Sequence, residues 1–189
     1  MAVASEPGLA LVEPEAAEWD AFVDAHPQGS LLQRSAWGEL KAGFGWRARR
    51  LAVVGADGQL RAGATLLLRA RFGLSVAYTP RGPLLAGDAA IDRLLIAGLT
   101  RLARRARAVL LRLEPNLAAD EPAADAIHTA LLLQGLRPAP TIQPRSSIHV
   151  DLTPPEAAIL AACSKGHRAD IRRAERNGVL VRVGGDADM

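Results

Sequence analysis

The stretch Arg50-Leu51-Ala52-Val53-Val54-Gly55-Ala56-Asp57-Gly58-Gln59-Leu60-Arg61-Ala62-Gly63-Ala64-Thr65-Leu66-Leu67-Leu68-Arg69 decides the fold. Two apolar runs of strand length flank Ala56-Asp57-Gly58-Gln59, and Asp-Gly is a dipeptide that closes a tight hairpin. The spacing predicts strands over Arg50–Val54 and Leu60–Arg69, and a turn at Phe72-Gly73 returns the chain as a third strand, Leu74–Thr79. Upstream, Pro14 followed by Glu15 and Glu18 opens a helix with acids at its positive end. Trp19, Phe22 and Val23 form its apolar stripe, and His26-Pro27-Gln28-Gly29 ends it. A second helix runs from about Gln33 to Phe44 with Trp37, Leu40 and Phe44 on one face, and Gly45 stops it. Downstream, a long helix from Asp88 or Ala89 to about Arg107 turns Ile91, Leu94, Leu95, Leu99 and Leu102 inward. A buried strand over Val109–Leu113, a helix over Pro122–Leu133 and a strand over Ser147–Leu152 follow. Thr153-Pro154-Pro155 caps a short helix to about Cys163, a further helix runs from Ser164 to Asn177-Gly178, and Val179–Val183 is the last strand. Early antiparallel strands followed by alternating strands and helices predict an α+β mixed sheet flanked by helices.

Composition bounds the chemistry. The 189 residues are 49% hydrophobic and 23% charged, enough to bury a core and too apolar for disorder. No apolar run approaches the roughly 18 residues of a membrane helix, and no Lys or Arg precedes Arg34, so the basic end of a signal peptide is missing. Cys163 is the sole cysteine, which excludes an internal disulfide and a cysteine-rich zinc site. His26, His128, His149 and His167 form no metal-ligand spacing. These features predict a cytoplasmic chain with no metal and no cofactor. Glycine-rich dinucleotide and Walker loops and the G-x-S-x-G elbow are absent. So is an R/Q-x-x-G-x-G/A loop, whose backbone N–H groups would bind a pyrophosphate at a helix start; its absence argues against ordinary acetyl-CoA use. Charge is segregated: residues 1–33 carry six acids and no base, whereas residues 34–112 carry fifteen bases and four acids. That basic middle suits an anionic partner.

Four segments stand out. In the first, Gln33 to Lys41 followed by Gly45-Trp46, Trp37 and Lys41 lie four apart on one helix face. In the second, Tyr78-Thr79-Pro80-Arg81-Gly82-Pro83, two prolines stiffen a strand end and present Arg81. In the third, Leu111-Arg112-Leu113-Glu114-Pro115-Asn116, Arg112 alternates with apolar neighbours and faces a cleft or pairs with an acid such as Glu114. The fourth, Ser164 to Val179, places Lys165, His167 and Arg168 in a first helical turn and Arg168 and Arg172 on one face. Cations beside a helix N-terminus suit a phosphate, although a solvated charge lattice uses the same residues.

The element order resembles that of acyl-CoA acetyltransferases of the GNAT type, which implies a GNAT-like mixed sheet. The four segments, in this order, resemble the FemABX family of aminoacyl-tRNA-dependent peptidoglycan aminoacyltransferases. The matching positions are Trp19 and Phe22, Gln33 to Lys41, Gly45-Trp46, Tyr78 to Pro83, Arg112 to Pro115, Gln143-Pro144 to Asp151-Leu152, and Lys165 to Val179. Arg34 between Gln33 and Ser35, and Ser146-Ser147, depart from the family pattern.

The resemblance implies that an amino acid leaves its tRNA ester for the peptide stem of a UDP-linked or lipid-linked peptidoglycan precursor. The stem amine attacks the ester, so no protein nucleophile is required and no catalytic residue is assigned. The partners implied are aminoacyl-tRNA and the precursor, with peripheral membrane contact when the precursor is lipid-linked. In the family the helical lysine contacts precursor phosphate, which makes Lys41 the first expected substrate-binding residue, with Trp37, Tyr78, Arg81, Lys165, Arg168 and Arg172 beside it. Family chains hold a second GNAT-like unit. Residues 1–152 are therefore expected to form a GNAT-like domain, and 153–189 a helical linker with the first strand of a truncated second unit, inactive by itself. Two other readings compete: a GNAT-like N-acyltransferase with another acyl donor, and a non-catalytic RNA-binding module. Against the last, five of the seven aromatics lie between residues 19 and 46 at core-like spacing.

Overall fold

The computed structural model of the chain describes residues 8–117, 124–144, 146–148 and 150–185. In chain order, β1 (Ala10–Val12) leads to α1 (Ala16–Ala25), a 3-10 turn (Leu31–Gln33) and α2 (Ser35–Ala42). The Asp57-Gly58 turn then joins β2 (Arg47–Val54) to β3 (Leu60–Arg71), and Phe72-Gly73 joins β3 to β4 (Leu74–Thr79). Next come α3 (Ala89–Arg105), β5 (Ala108–Leu113), α4 (Ala124–Leu133), α5 (Glu156–Ala162) and α6 (Lys165–Arg176).

The sheet order is β1-β2-β3-β4-β5. Its first four strands pair antiparallel, and β5 pairs parallel to β4 through the α3 crossover. This is the α+β mixed sheet that the pattern of apolar runs predicts. β3 lies at the centre, and Ala62 to Leu68 are buried without interruption because both faces are covered. On one face Leu51, Val53, Leu66 and Leu68 pack against Leu95 and Leu99 of α3. Asp88 caps that helix, its carboxylate accepting from the amides of Ala90 and Ile91. On the other face Trp19 and Val23 of α1 pack against Ala52 and Leu84. Gly63 permits this approach: a Cβ there would lie 2.5 Å from the Trp19 ring.

A buried polar hub fastens the second face. Gln33 is fully buried. Its side-chain amide donates to the Pro80 carbonyl at 2.6 Å and accepts from the Thr65 amide at 2.8 Å. Its own carbonyl accepts from the Trp19 indole at 2.7 Å and the Thr65 hydroxyl at 2.5 Å. Every polar atom at this point is satisfied, as burial demands.

Several local expectations change. The expected helix from Gln33 to Phe44 splits, because Gln33 is drawn out of the helix into the hub. Leu40 and Phe44 are exposed rather than core. β5 is an edge strand, not a buried one, with Val109 and Leu110 exposed. β1 has no counterpart among the expected strands. Residues 122–123 of the expected fourth helix lie outside the described residues.

The chain divides into two compact units, Met1–Arg145 and Ser146–Met189. In the second, Ser164 caps α6 by accepting from the His167 amide, and the Arg168 guanidinium donates to the carbonyls of Ala161 and Cys163 at the end of α5. The strands expected over Ser147–Leu152 and Val179–Val183 do not form among the described residues; His149 lies outside them. A strand needs a neighbour for its backbone groups, and the described residues of this unit offer none. No described helix is long and apolar enough to cross a membrane.

Gln33→Leu would keep the approximate volume but orphan the Thr65 amide and the Pro80 carbonyl. We expect a loss of about 2–4 kcal/mol in urea unfolding; a loss below about 1 kcal/mol would show that the hub contributes little.

Candidate functional site

Parallel strands joined by a helix gather binding groups at their carboxyl ends. Here those ends are Thr79 of β4 and Leu113 of β5, which pair in register. Beyond them the Glu114 amide donates to the Gly82 carbonyl at 2.8 Å, holding the two exits together. The Gly82–Pro83 peptide is cis. Gly82 sits tightly on the hub, since a Cβ there would lie 2.6 Å from the Gln33 amide nitrogen.

Three stretches distant in sequence meet at this point. The Tyr78 hydroxyl donates a short hydrogen bond to Glu114 Oε2 and accepts from Gln143 Nε2 at 3.0 Å. Glu114 Oε1 accepts from the amides of Ile142 and Gln143 at 2.8 and 3.0 Å. Arg112, beside Tyr78 in register, donates to the Pro140 carbonyl at 2.6 Å. An ion pair of Arg112 with Glu114 does not form among the described residues; the carboxylate is used as a clamp on residues 142–143 instead. Strand pleating puts Tyr78 and Arg112 on the sheet face opposite α3, because their neighbours Ala77, Leu111 and Leu113 pack toward that helix.

Arg81 takes φ +50°, a left-handed conformation that costs a non-glycine residue energy and concentrates at functional sites. Its guanidinium donates to Asn116 Oδ1 at 3.4 Å and to the Pro144 carbonyl at 2.9 Å, and the residue remains partly exposed. The loop expected to present Arg81 instead turns its guanidinium onto Asn116 and Pro144, leaving the residue partly exposed. Beside it an open cleft of about 600 Å³ runs along β5 and α4; Arg112, Glu114, His128 and Arg137 supply its charged and titratable lining, and Leu113 and Leu131 part of its apolar wall.

Of the residues singled out from sequence, Tyr78 and Arg81 stand in this cluster. Trp37 and Lys41 stand on α2, with Lys41 Nζ 5.1 Å from the Trp37 ring centroid. Lys165, Arg168 and Arg172 belong to the second unit, on α6. Arg168 ties that helix to α5, while Lys165 and Arg172 are exposed. Arg112 stands in the cluster too; Glu114, expected only as a partner for Arg112, and Gln143, expected only as a family match, have no site role in the sequence reading, yet they make the cluster. Their signal is a polar residue directly before a proline, at Glu114-Pro115 and Gln143-Pro144, where the backbone is held extended.

The cluster holds no ready nucleophile. Burial, and then the bond to Glu114, push the Tyr78 hydroxyl up to about 12. It is a neutral donor at physiological pH. What the site offers is the positioned guanidinium N–H groups of Arg81 and Arg112, both partly exposed. No group of three or more His, Cys, Asp or Glu among the described residues is arranged to hold a metal.

The FemAB family model matches residues 15–189. The lipid II:glycine glycyltransferase of Staphylococcus saprophyticus is 30% identical over 173 residues, covering 86% of this chain and 41% of that protein. The enzyme of the same name from Staphylococcus aureus is 29% identical over 175 residues, covering 87% of this chain and 41% of its own length. The chain thus spans about two fifths of the curated relatives it matches. The crystal structure of FemX superposes with a TM-score of 0.61 at 30% identity, over 67% of this chain and 31% of that one.

Tyr78 is the single tyrosine, so its titration is directly visible in the ultraviolet. Tyrosinate absorbance is expected to rise near pH 12 in the folded chain and near the ordinary value of 10.0 in denaturant. Because the folded value is raised, the associated stability is complete below about pH 10 and is lost as pH rises through about 12. Coincident titrations in the two states would mean that Tyr78 is solvated.

Proposed function

The chain belongs to the FemAB family, and from that premise we propose that it takes part in moving an amino acid from aminoacyl-tRNA to the stem peptide of a peptidoglycan precursor. The observation that carries this reading is the convergence of three family-matching stretches, around Tyr78, Glu114 and Gln143, within hydrogen-bond distance at the carboxyl ends of a parallel strand pair. The names of the glycyltransferase relatives supply the acceptor: a lipid II-type precursor.

The stem amine attacks the ester carbonyl of the aminoacyl-tRNA. A C–N bond forms, the ester C–O bond breaks, and the amine proton leaves with the tRNA hydroxyl. Such a reaction asks the protein for positioning and for donors facing the developing oxyanion, not for a nucleophile. Tyr78 gives its one proton to Glu114, so its part is to fix the geometry of the cluster and not to donate to the oxyanion. Arg81 and Arg112 are partly exposed at the same strand ends and would orient the acceptor. Lys41, with Trp37 under its ammonium, would hold precursor phosphate. Lys165, Arg168 and Arg172, on the second unit, are read as anion-binding residues of that unit. Residues 153–189 are read as a helical link and the start of a second such unit. The setting is cytoplasmic, where aminoacyl-tRNA is found, and a lipid-linked acceptor brings the chain to the membrane surface.

Calorimetric titration with a UDP-linked muramyl pentapeptide tests this. Binding is expected, and Lys41→Ala is expected to weaken it about tenfold, the loss of one charge-assisted contact. Equal affinity of the variant would remove Lys41 from the site, and no binding by the parent chain would remove the precursor.

A further inference from the structure

The end of the sheet remote from this cluster carries an exposed apolar and cationic surface that the proposed reaction does not use. β3 continues three residues past its last pairing with β2, at Leu68, so Arg69, Ala70 and Arg71 pair only with β4. The tip of this hairpin, Phe72-Gly73, therefore protrudes. Phe72 and Gly73 take φ of +51° and +77°, the paired positive values of a turn that favours Asn-Gly. A bulky aromatic in the left-handed region is strained, and here the residue is 89% exposed. Packing within the chain does not explain the choice of Phe72.

Its surroundings point to what it meets. Leu74, Val109 and Phe44 are also exposed, and Leu74 and Val109 line one shallow depression with Gly45, which follows Phe44. Arg71 lies over the Phe72 ring at 4.8 Å and Arg69 over the Trp46 ring at 5.8 Å. Arg107, itself at φ +56°, lies beside the hairpin, 3.8 Å from where a Gly73 Cβ would stand. None of these three arginines takes part in an ion pair among the described residues; Arg34, Arg49 and Arg61 do. The acids between Lys41 and Val109 are Asp57, Asp88 and Asp92. They sit in the β2–β3 turn and the first turn of α3, both at the opposite end of the sheet. Aromatic and aliphatic side chains projecting within a ring of arginines, none of the three ion-paired among the described residues, match an anionic lipid interface. A base-stacking surface needs a platform of aromatic rings; among the described exposed side chains only Phe44 and Phe72 are aromatic, and the aliphatic Leu74 and Val109 share their patch.

We infer that the β3–β4 hairpin tip, with Phe72 at its apex and Arg69, Arg71 and Arg107 around it, docks the chain on an anionic bilayer surface. This deepens the lipid-linked form of the proposed acceptor and rests on that reading for its purpose, not for its geometry. Lys41 shares this end through the Trp46 amide, which donates to the Lys41 carbonyl at 3.2 Å. The six residues of β4 hold the Tyr78–Glu114 cluster roughly 17 Å along the sheet from the hairpin. A phosphate at the membrane surface and a stem peptide extending away from it fit that separation.

Vesicle flotation with the full chain tests the inference. The chain is expected to float with phosphatidylcholine vesicles containing roughly 30% phosphatidylglycerol and far less with phosphatidylcholine alone. Phe72→Asn should keep or raise the melting temperature while lowering flotation several-fold. Arg69→Gln with Arg71→Gln should weaken binding about fivefold per arginine and flatten its dependence on anionic lipid. No flotation, flotation unchanged by these variants, or their loss of binding to total tRNA in place of vesicles would each overturn the inference. Vesicle binding without precursor binding counts against the proposed acceptor alone; precursor binding without vesicle binding counts against this surface alone.

Discussion

The side-chain amide of Gln33 is the constraint on which the rest of this unit depends. A primary amide in a dry interior must satisfy both its ends or destabilise the fold. Gln33 does so by joining the middle of β3, through Thr65, to the loop that leaves β4, through Pro80. Its own carbonyl receives the Trp19 indole, so the helix that covers the sheet is tied to the same point. Gly63 and Gly82 are the two places where the hub admits no side chain. The loop after β4 thereby inherits the rigidity of the core, and Arg81 stays in a left-handed conformation that a loose loop would relax.

That rigidity reaches the polar cluster one step away. The Gly82 carbonyl holds Glu114, and Glu114 holds Tyr78 and residues 142–143. A carboxylate occupied with one hydroxyl and two backbone amides is a clamp, not a base. The chemistry suited to such a site is one in which the reacting groups come with the substrates. Amide formation from an activated ester and an amine is of that kind, and it needs orientation more than proton transfer from the protein.

The two ends of the sheet carry different properties because the crossover separates them. α3 begins with Asp88 and Asp92 beside the strand exits and ends with Arg104 and Arg105 beside the hairpin, an arrangement that its dipole favours.

Much of this was legible locally. Asp57-Gly58 announces its hairpin, Asp88 its cap, and the period of Leu94, Leu95 and Leu99 the covering helix. The ordered matches around Gln33, Tyr78, Arg112 and Gln143 mark the family. These are determined by the sequence alone because turn chemistry, capping and apolar periodicity act over a few residues. The tertiary structure decided which polar residues are partners. Gln33 reads as an ordinary helical position, Glu114 and Gln143 as residues before prolines, and Phe72 as half of a turn. Their roles depend on hydrogen bonds to residues 32 to 65 positions away, and on whether a side chain finds cover. Edge and centre are likewise invisible in a short apolar run: Val109 and Leu66 belong to similar stretches, yet one strand lies at the rim of the sheet and the other in its middle. Burial is a property of the neighbours a segment acquires, and the neighbours are fixed only when the sheet closes.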